Sequence, residues 1–198
     1  MNFTEHYFVE KECPMTDEMK QHYENRTNKH IGLVQKYCKK IDGLGVKGLE
    51  DIVERGKVHD ASKFKEPEYT PYIYLTWDYK CKDDGVDSGF SQEIKDQMNK
   101  ATNHHVKHNS HHVEAHTDQN DVINREDRDK PPEQMVDGTK MNELDIAEMC
   151  ADWCAVSEER GNSPHSWADK NVNVRWKFDE DQKKLIYFLL DEIWNNEI

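Results

Sequence analysis

The sequence contains no apolar stretch long enough for a signal peptide or a membrane span, which leaves membranes off the list of expected partners. It has no run of Lys or Arg long enough to serve as a basic patch, and its net charge of −13 repels phosphate backbones, so duplex nucleic acid is not an expected partner either. Its five cysteines, Cys13, Cys38, Cys81, Cys150 and Cys154, are odd in number and lack the spacing of a disulfide framework. A reducing cytoplasm is the expected compartment. There is no internal repeat and no low-complexity tract. A homo-oligomer stays open.

What is present is a chain of 198 residues, the size of a single domain, with 35% apolar and 34% charged residues and a core that must rely on its five Trp, eight Tyr and six Phe. Its periodicity is helical. A helix is expected from Thr16, with Asp17 and Glu18 in the first turn, through Ile31, Val34, Tyr37, Cys38 and Ile41 to Gly43 and Gly45. A short helix is expected over 47–57, and another beginning near Pro71, where proline argues against a central strand. Further helices are expected over 91–107, 142–160 and 179–194. Residues 118–139 lack apolar periodicity and carry Pro131-Pro132 and Gly138, which predicts a mobile insertion or lid. The expected fold is an all-α bundle in one domain spanning 1–198.

Six of the eleven histidines fall between His104 and His116, in NHHVKHNSHHVEAH. Imidazole is a poor core filler and the commonest metal ligand, so ligation explains this crowding better than packing. His59-Asp60 places two donor types side by side, with His30 upstream and Asp152 downstream. Asp145 and Asp152 are seven apart, two turns on one helix face with Glu148 between them. Asp152 is the preferred ligand, and Asp145 reads as a first-turn acid serving backbone donors. Cys150 and Cys154, one turn apart, read as small core residues rather than a zinc pair. Glu66 and Glu68 can orient a metal-bound imidazole, although Glu66 reads better as a surface acid. Asn109 can cap the following turn or bond substrate. Tyr72, Tyr74 and Trp77 read as core rather than as a stacking platform.

The order His30, His59-Asp60, His105, His112, Asp152 resembles the HD superfamily of metal-dependent phosphohydrolases, whose ligands stand on the helices of an all-α bundle. HDASKF, residues 59–64, resembles the HD-x-x-K form, in which the lysine helps hold substrate phosphate, and this implies that role for Lys63. The combination of HDASKF, H-x3-N-x-HH-x-E from His105 to Glu114, and EMCADWCA from Glu148 to Ala155 looks like an uncharacterised group found in bacteria and their phages. The resemblance spans about Lys29 to Ala155 and implies one or two divalent ions (Mn, Co, Fe, Mg, Ni or Zn). His30, His59, Asp60 and Asp152 would hold one and His105 and His112 the other. Within each neighbouring pair, His104 competes with His105 and His111 with His112.

The implied activity is hydrolysis of a small phosphate-containing substrate, a nucleotide foremost, by metal-activated water. Asp60 and Lys63 would be catalytic, and Lys63 and Asn109 would bind substrate. Two alternatives stand beside it: a di-iron oxygenase on the same scaffold, and a non-catalytic binding protein with a structural metal.

Overall fold

The computed structural model describes residues 14–117 and 135–195, and over these the protein is all-α: seven α-helices, two 3-10 turns and a single pair of two-residue strands. The helices are α1 (Asp17–Gly43), α2 (Ile52–Val58), α3 (Tyr69–Asp83), α4 (Gln92–His108), α5 (Glu143–Arg160), α6 (Pro164–Asn171) and α7 (Glu180–Asn195). The 3-10 turns cover Ala61–Phe64 and Val113–His116. Local chemistry sets the boundaries. The side chains of Thr16, Ser91, Asn142 and Ser163 accept from early backbone N–H groups of α1, α4, α5 and α6, satisfying donors that have no partner within the helix. Gly161, at φ 65°, ends α5 in the left-handed conformation that glycine adopts without a Cβ clash.

The periodicity located the long helices to within a residue or two, and three expectations need correction. The helix expected over 47–57 begins only at Ile52, because the glycine-bearing stretch before it is wound into turns ahead of α2. Helix α6, led by Ser163-Pro164, was not anticipated at all. The expected insertion at 118–139 is shorter at its far end: Val136–Asp137 (β1) pairs in parallel with Trp176–Lys177 (β2), and residues 118–134 lie outside the described residues. Gly138 follows β1 where a Cβ would come within 3.0 Å of Phe178 and Val113, so that close packing, rather than looseness, accounts for this glycine.

Two apolar clusters hold the helices together. The larger joins Val34, Tyr37, Cys38 and Ile41 of α1 to Ile146, Cys150 and Cys154 of α5 and Ile186, Leu189, Leu190 and Ile193 of α7. Cys150 and Cys154 are wholly buried there, as core residues. The smaller joins Met19 and Tyr23 of α1 to Ile73 and Leu75 of α3, with Phe90 and Met98. Along α1, His30 falls between the residues committed to one cluster and those committed to the other. Helix α5 is buried almost all round, and its buried set includes Asp145 and Glu148. Three acids on α5, Asp145, Glu148 and Asp152, share a helical face by their spacing, and they line the ground between the clusters.

Candidate metal centre

Three of the donors ride on long helices, Asp152 being the one on α5. His30, in the middle of α1, sets its Nε2 3.0 Å from Asp152 Oδ1 on α5 and 4.0 Å from Asp60 Oδ2. His105, in the last turn of α4, sets its Nε2 3.2 Å from Asp60 Oδ1. The others sit where helices stop. His59 caps α2 with an extended backbone (ψ 131°), and Asp60 follows in the left-handed region at φ 57° before the 3-10 turn. Neither residue of the dipeptide is therefore inside a helix, contrary to what the resemblance implies. A β-branched residue would be strained at position 60, whereas aspartate visits this region readily. His111 and His112 lie in the connection between α4 and Val113–His116.

The two oxygens of Asp60 face different partners. Oδ2 lies 3.6 Å from His59 Nε2 and 2.5 Å from Lys63 Nζ, and Oδ1 faces His105 and, at 3.7 Å, His111 Nε2. Ligand atoms within 4.8 Å of one another come from three groupings: His30 with His59 and Asp60, His59 with His111 and Asp152, and His105 with His111 and His112. All six expected ligands are thus brought together. His111 joins them instead of being displaced by His112, because the connection turns both rings inward.

Carboxylates stand behind the imidazoles. Glu148 Oε1 accepts from His59 Nδ1 at 2.9 Å and faces His111 Nδ1 at 3.5 Å. Glu68, fully buried, accepts from His105 Nδ1 at 2.9 Å, from His104 Nδ1 at 2.7 Å and from Ser62 Oγ at 2.8 Å. An ionised carboxylate only accepts, so these bonds put the ring proton on Nδ1 and leave the Nε2 lone pair pointing inward.

Burial pulls His30 down, but the carboxylates of Asp152 and Glu159 outweigh it and lift the ring to about 9. His105 is likewise raised, burial and Lys63 being overcome by Asp60 and Glu68. His112 is pushed far down by burial and by His111 and His105, and His111 is lowered by burial and by His59. Against the cost of burial, His59, Lys63 and His105 hold Asp60 well below the usual carboxylate range.

Among the described residues, four buried side-chain nitrogen or oxygen atoms have no hydrogen-bond partner, and all four belong here: His59 Nε2, Asp60 Oδ1, His111 Nε2 and His112 Nε2. An unsatisfied buried polar group costs about 1–3 kcal/mol, and lone pairs from four residues converging in one place are the arrangement a cation satisfies. The donor set therefore fits one or two divalent ions, with imidazole nitrogen predominating.

The comparisons follow this geometry. The model of a family of unknown function, DUF5662, matches residues 19–192. The chain belongs to that family. The DUF5662 match takes in every donor named above, from His30 to Asp152, and both core clusters almost entire. No curated protein and no solved structure matches the chain.

The remaining expected residues are placed as follows. Lys63 lies on the cluster, its side chain 18% exposed, with Nζ 5.3 Å from the centre of the Tyr72 ring. Tyr72 itself meets the His105 ring edge-on at 5.6 Å, so it borders the cluster more closely than a core reading allows. Asn109 caps α4 rather than the turn that follows, and its Nδ2 donates to His105 O and to Ser62 Oγ, which makes it a brace for His105 and not a free substrate contact. Asp145 is neither a ligand nor a backbone cap; it pairs with Arg55 at 2.8 Å. His104 stacks on His108 and His116 bonds Ser110 O, outside the cluster. Glu66 bonds Thr70 at the surface, as expected of it. Arg55 was missed in the sequence, where nothing distinguishes it from other helix-surface arginines.

Proposed function

We propose that this protein is a metal-dependent phosphohydrolase of the HD type, acting on a nucleotide or a related small phosphate ester in the cytoplasm. The observation that carries the reading is the convergence of the four unpartnered atoms beside an ammonium group, Lys63 Nζ, that already sits on a ligand carboxylate. His30, His59, Asp60 and Asp152 would hold one ion, and His105, His111 and His112, with Oδ1 of Asp60, a second. When bound, a divalent ion lowers the pKa of coordinated water from about 15.7 towards about 7 and polarises a phosphoryl oxygen.

The protein's own groups supply the rest. Glu148 and Glu68 hold the imidazoles in the tautomer that presents Nε2. Lys63 is raised, burial notwithstanding, by the Asp60 carboxylate, so it stays cationic at neutral pH. Its main chain is fixed by the Tyr23 hydroxyl, which donates to Lys63 O at 2.6 Å. With Asp60 neutralised by a cation, the ammonium donors of Lys63 are free to meet phosphoryl oxygens as negative charge builds there. A metal site and Lys63 together also reverse the local field in a chain of net charge −13, which an anionic substrate requires.

The test is a panel of nucleoside mono-, di- and triphosphates and cyclic nucleotides assayed with Mn²⁺, Co²⁺ or Mg²⁺. Phosphate or nucleoside release that disappears with chelator is expected. No turnover of any of them, together with oxygen consumption by the iron-loaded protein in the presence of an organic substrate, would replace hydrolysis by the oxygenase reading.

A further inference from the structure

We infer that Arg55 is a positioning residue of the metal centre, which acts through Glu148 to keep the His59 ring proton on Nδ1 and its Nε2 turned to the metal. The inference rests on the metal-site part of the proposed function and not on the reaction. Arg55 stands on α2, one turn before His59, and touches none of the ligand atoms. Its guanidinium spans three elements. Nε and Nη2 donate to the same oxygen of Glu148, Oε2, at 3.0 and 2.6 Å, and Nη2 also reaches Asp145 Oδ1 at 2.8 Å and Ser110 Oγ at 2.6 Å.

The two oxygens of Glu148 thus have separate duties. Oε2 is claimed by Arg55, and Oε1 is left to the Nδ1 atoms of His59 and His111. A glutamate side chain has three torsions to fix, and the hold of Arg55 on Oε2 adds to the His59 hydrogen bond in keeping Oε1 on the imidazoles. A planar guanidinium donating through two nitrogens to Oε2 pins that oxygen, and with Oε1 on His59 Nδ1 the carboxylate is held at both ends, which a single ammonium does less well. The contacts to Asp145, one turn earlier on α5, and to Ser110, next to His111, tie α2, α5 and the connection that carries His111 to one charge. Four hydrogen bonds through two of its nitrogens are more than an arginine held only for surface charge would make. Glu148 stands one step behind the ligands, where removal of a partner alters metal affinity by about 10–100-fold, and Arg55 acts on the metal by holding Glu148.

The experiment uses the full chain, with Co²⁺ as the probe and a chelator in competition, alongside nitrogen-15 spectra of the histidine rings in the metal-free protein. His59 in the wild-type protein should carry its proton on Nδ1. Arg55→Met and the milder Arg55→Lys should weaken Co²⁺ binding by about 10–100-fold and mix the His59 tautomers, with Arg55→Lys the less affected. A role confined to stability would shift the melting temperature of Arg55→Lys and leave the tautomer and the affinity of its folded form unchanged, and that outcome overturns the inference. So does an Nε2–H tautomer in the wild-type protein, whatever the variants do. If the wild-type protein binds no Co²⁺, the metal-site reading fails and takes this one with it, whereas absence of phosphate release alone touches only the proposed reaction.

Discussion

The candidate metal centre has a helix-borne half and a junction-borne half, and they are built on different terms. His30, His105 and Asp152 project from α1, α4 and α5, whose backbones are satisfied internally and whose places are set by the apolar clusters. His59, Asp60, His111 and His112 stand where helices end, in extended or left-handed backbone, and are held by carboxylates, by Arg55 and by one another. The difference extends to protons. The two helix-borne imidazoles are raised by nearby carboxylates, and His111 and His112 are lowered, chiefly by burial. Packing can place a side chain to within a rotamer, but turning the adjacent residues His59 and Asp60 towards one another's donor atoms goes with a break in the helix.

The largest effect expected is at Asp60, a junction residue whose Oδ2 faces His30 and His59 and whose Oδ1 faces His105 and His111. Asp60→Asn keeps a side chain that tolerates the left-handed backbone and removes the charge, and it should strip essentially all bound metal. His30→Ala should lose metal only from the part it serves and retain about half, since His105, His111 and His112 form a group without it. Equal loss in the two variants, by elemental analysis, would erase the distinction between the ligand group that contains His30 and the one formed by His105, His111 and His112.

Next comes Lys63, on the short turn between them. Lys63→Ala should keep metal and fold and slow turnover about a hundredfold to a thousandfold, the loss of about 2.7–4 kcal/mol of transition-state stabilisation. Lys63→Arg should rescue poorly, because a planar fork does not replace a compact ammonium. A change of less than about threefold in Lys63→Ala, on any substrate the panel identifies, would make it a structural counter-ion of Asp60.

The proton difference is smaller but sharper. At pH 7.5 the His30 ring, at about 9, is protonated in the metal-free protein, whereas the lowered His111 and His112 are neutral. Metal must displace the extra proton of His30, so binding should release a proton and strengthen as pH rises, up to about 9, and weaken as pH falls. Calorimetry in two buffers of different ionisation enthalpy reads the number released. His30→Ala should release fewer protons than the wild-type protein, and His112→Ala should not.

The smallest effects concern two helical glycines. A Cβ on Gly32, in α1, would meet nothing within 4 Å, so Gly32→Ala should stabilise by about 0.5–1 kcal/mol through helix propensity. A Cβ on Gly56, in the short helix leading to His59, would come within 2.9 Å of Cys38 Sγ and 3.2 Å of its Cβ. Overpacking there costs about 1–3 kcal/mol and should outweigh the propensity gain. Chemical denaturation separates the two, and stabilisation by both would mean that α2 is free to shift.

The all-α character, the places of the long helices and the pool of candidate donors follow from the sequence by itself. Helical periodicity and end-capping are local, and a concentration of histidines is visible without coordinates. That His30 and Asp152 belong to one donor set is what the resemblance to the HD superfamily implies. Which histidines of the crowded tract turn inward did not follow from the sequence, because His104, His105, His108, His111, His112 and His116 are alike as residues and differ only in what faces them. Tertiary structure settled this by bringing Glu68 behind His105 and Glu148 behind His59 and His111, so that each ring keeps its proton outward and its lone pair inward. It also drew Arg55 and Asp145 together across ninety residues of chain, and no local pattern announces such a pair, since the energy of an ion pair depends on a distance that only the packed helices define.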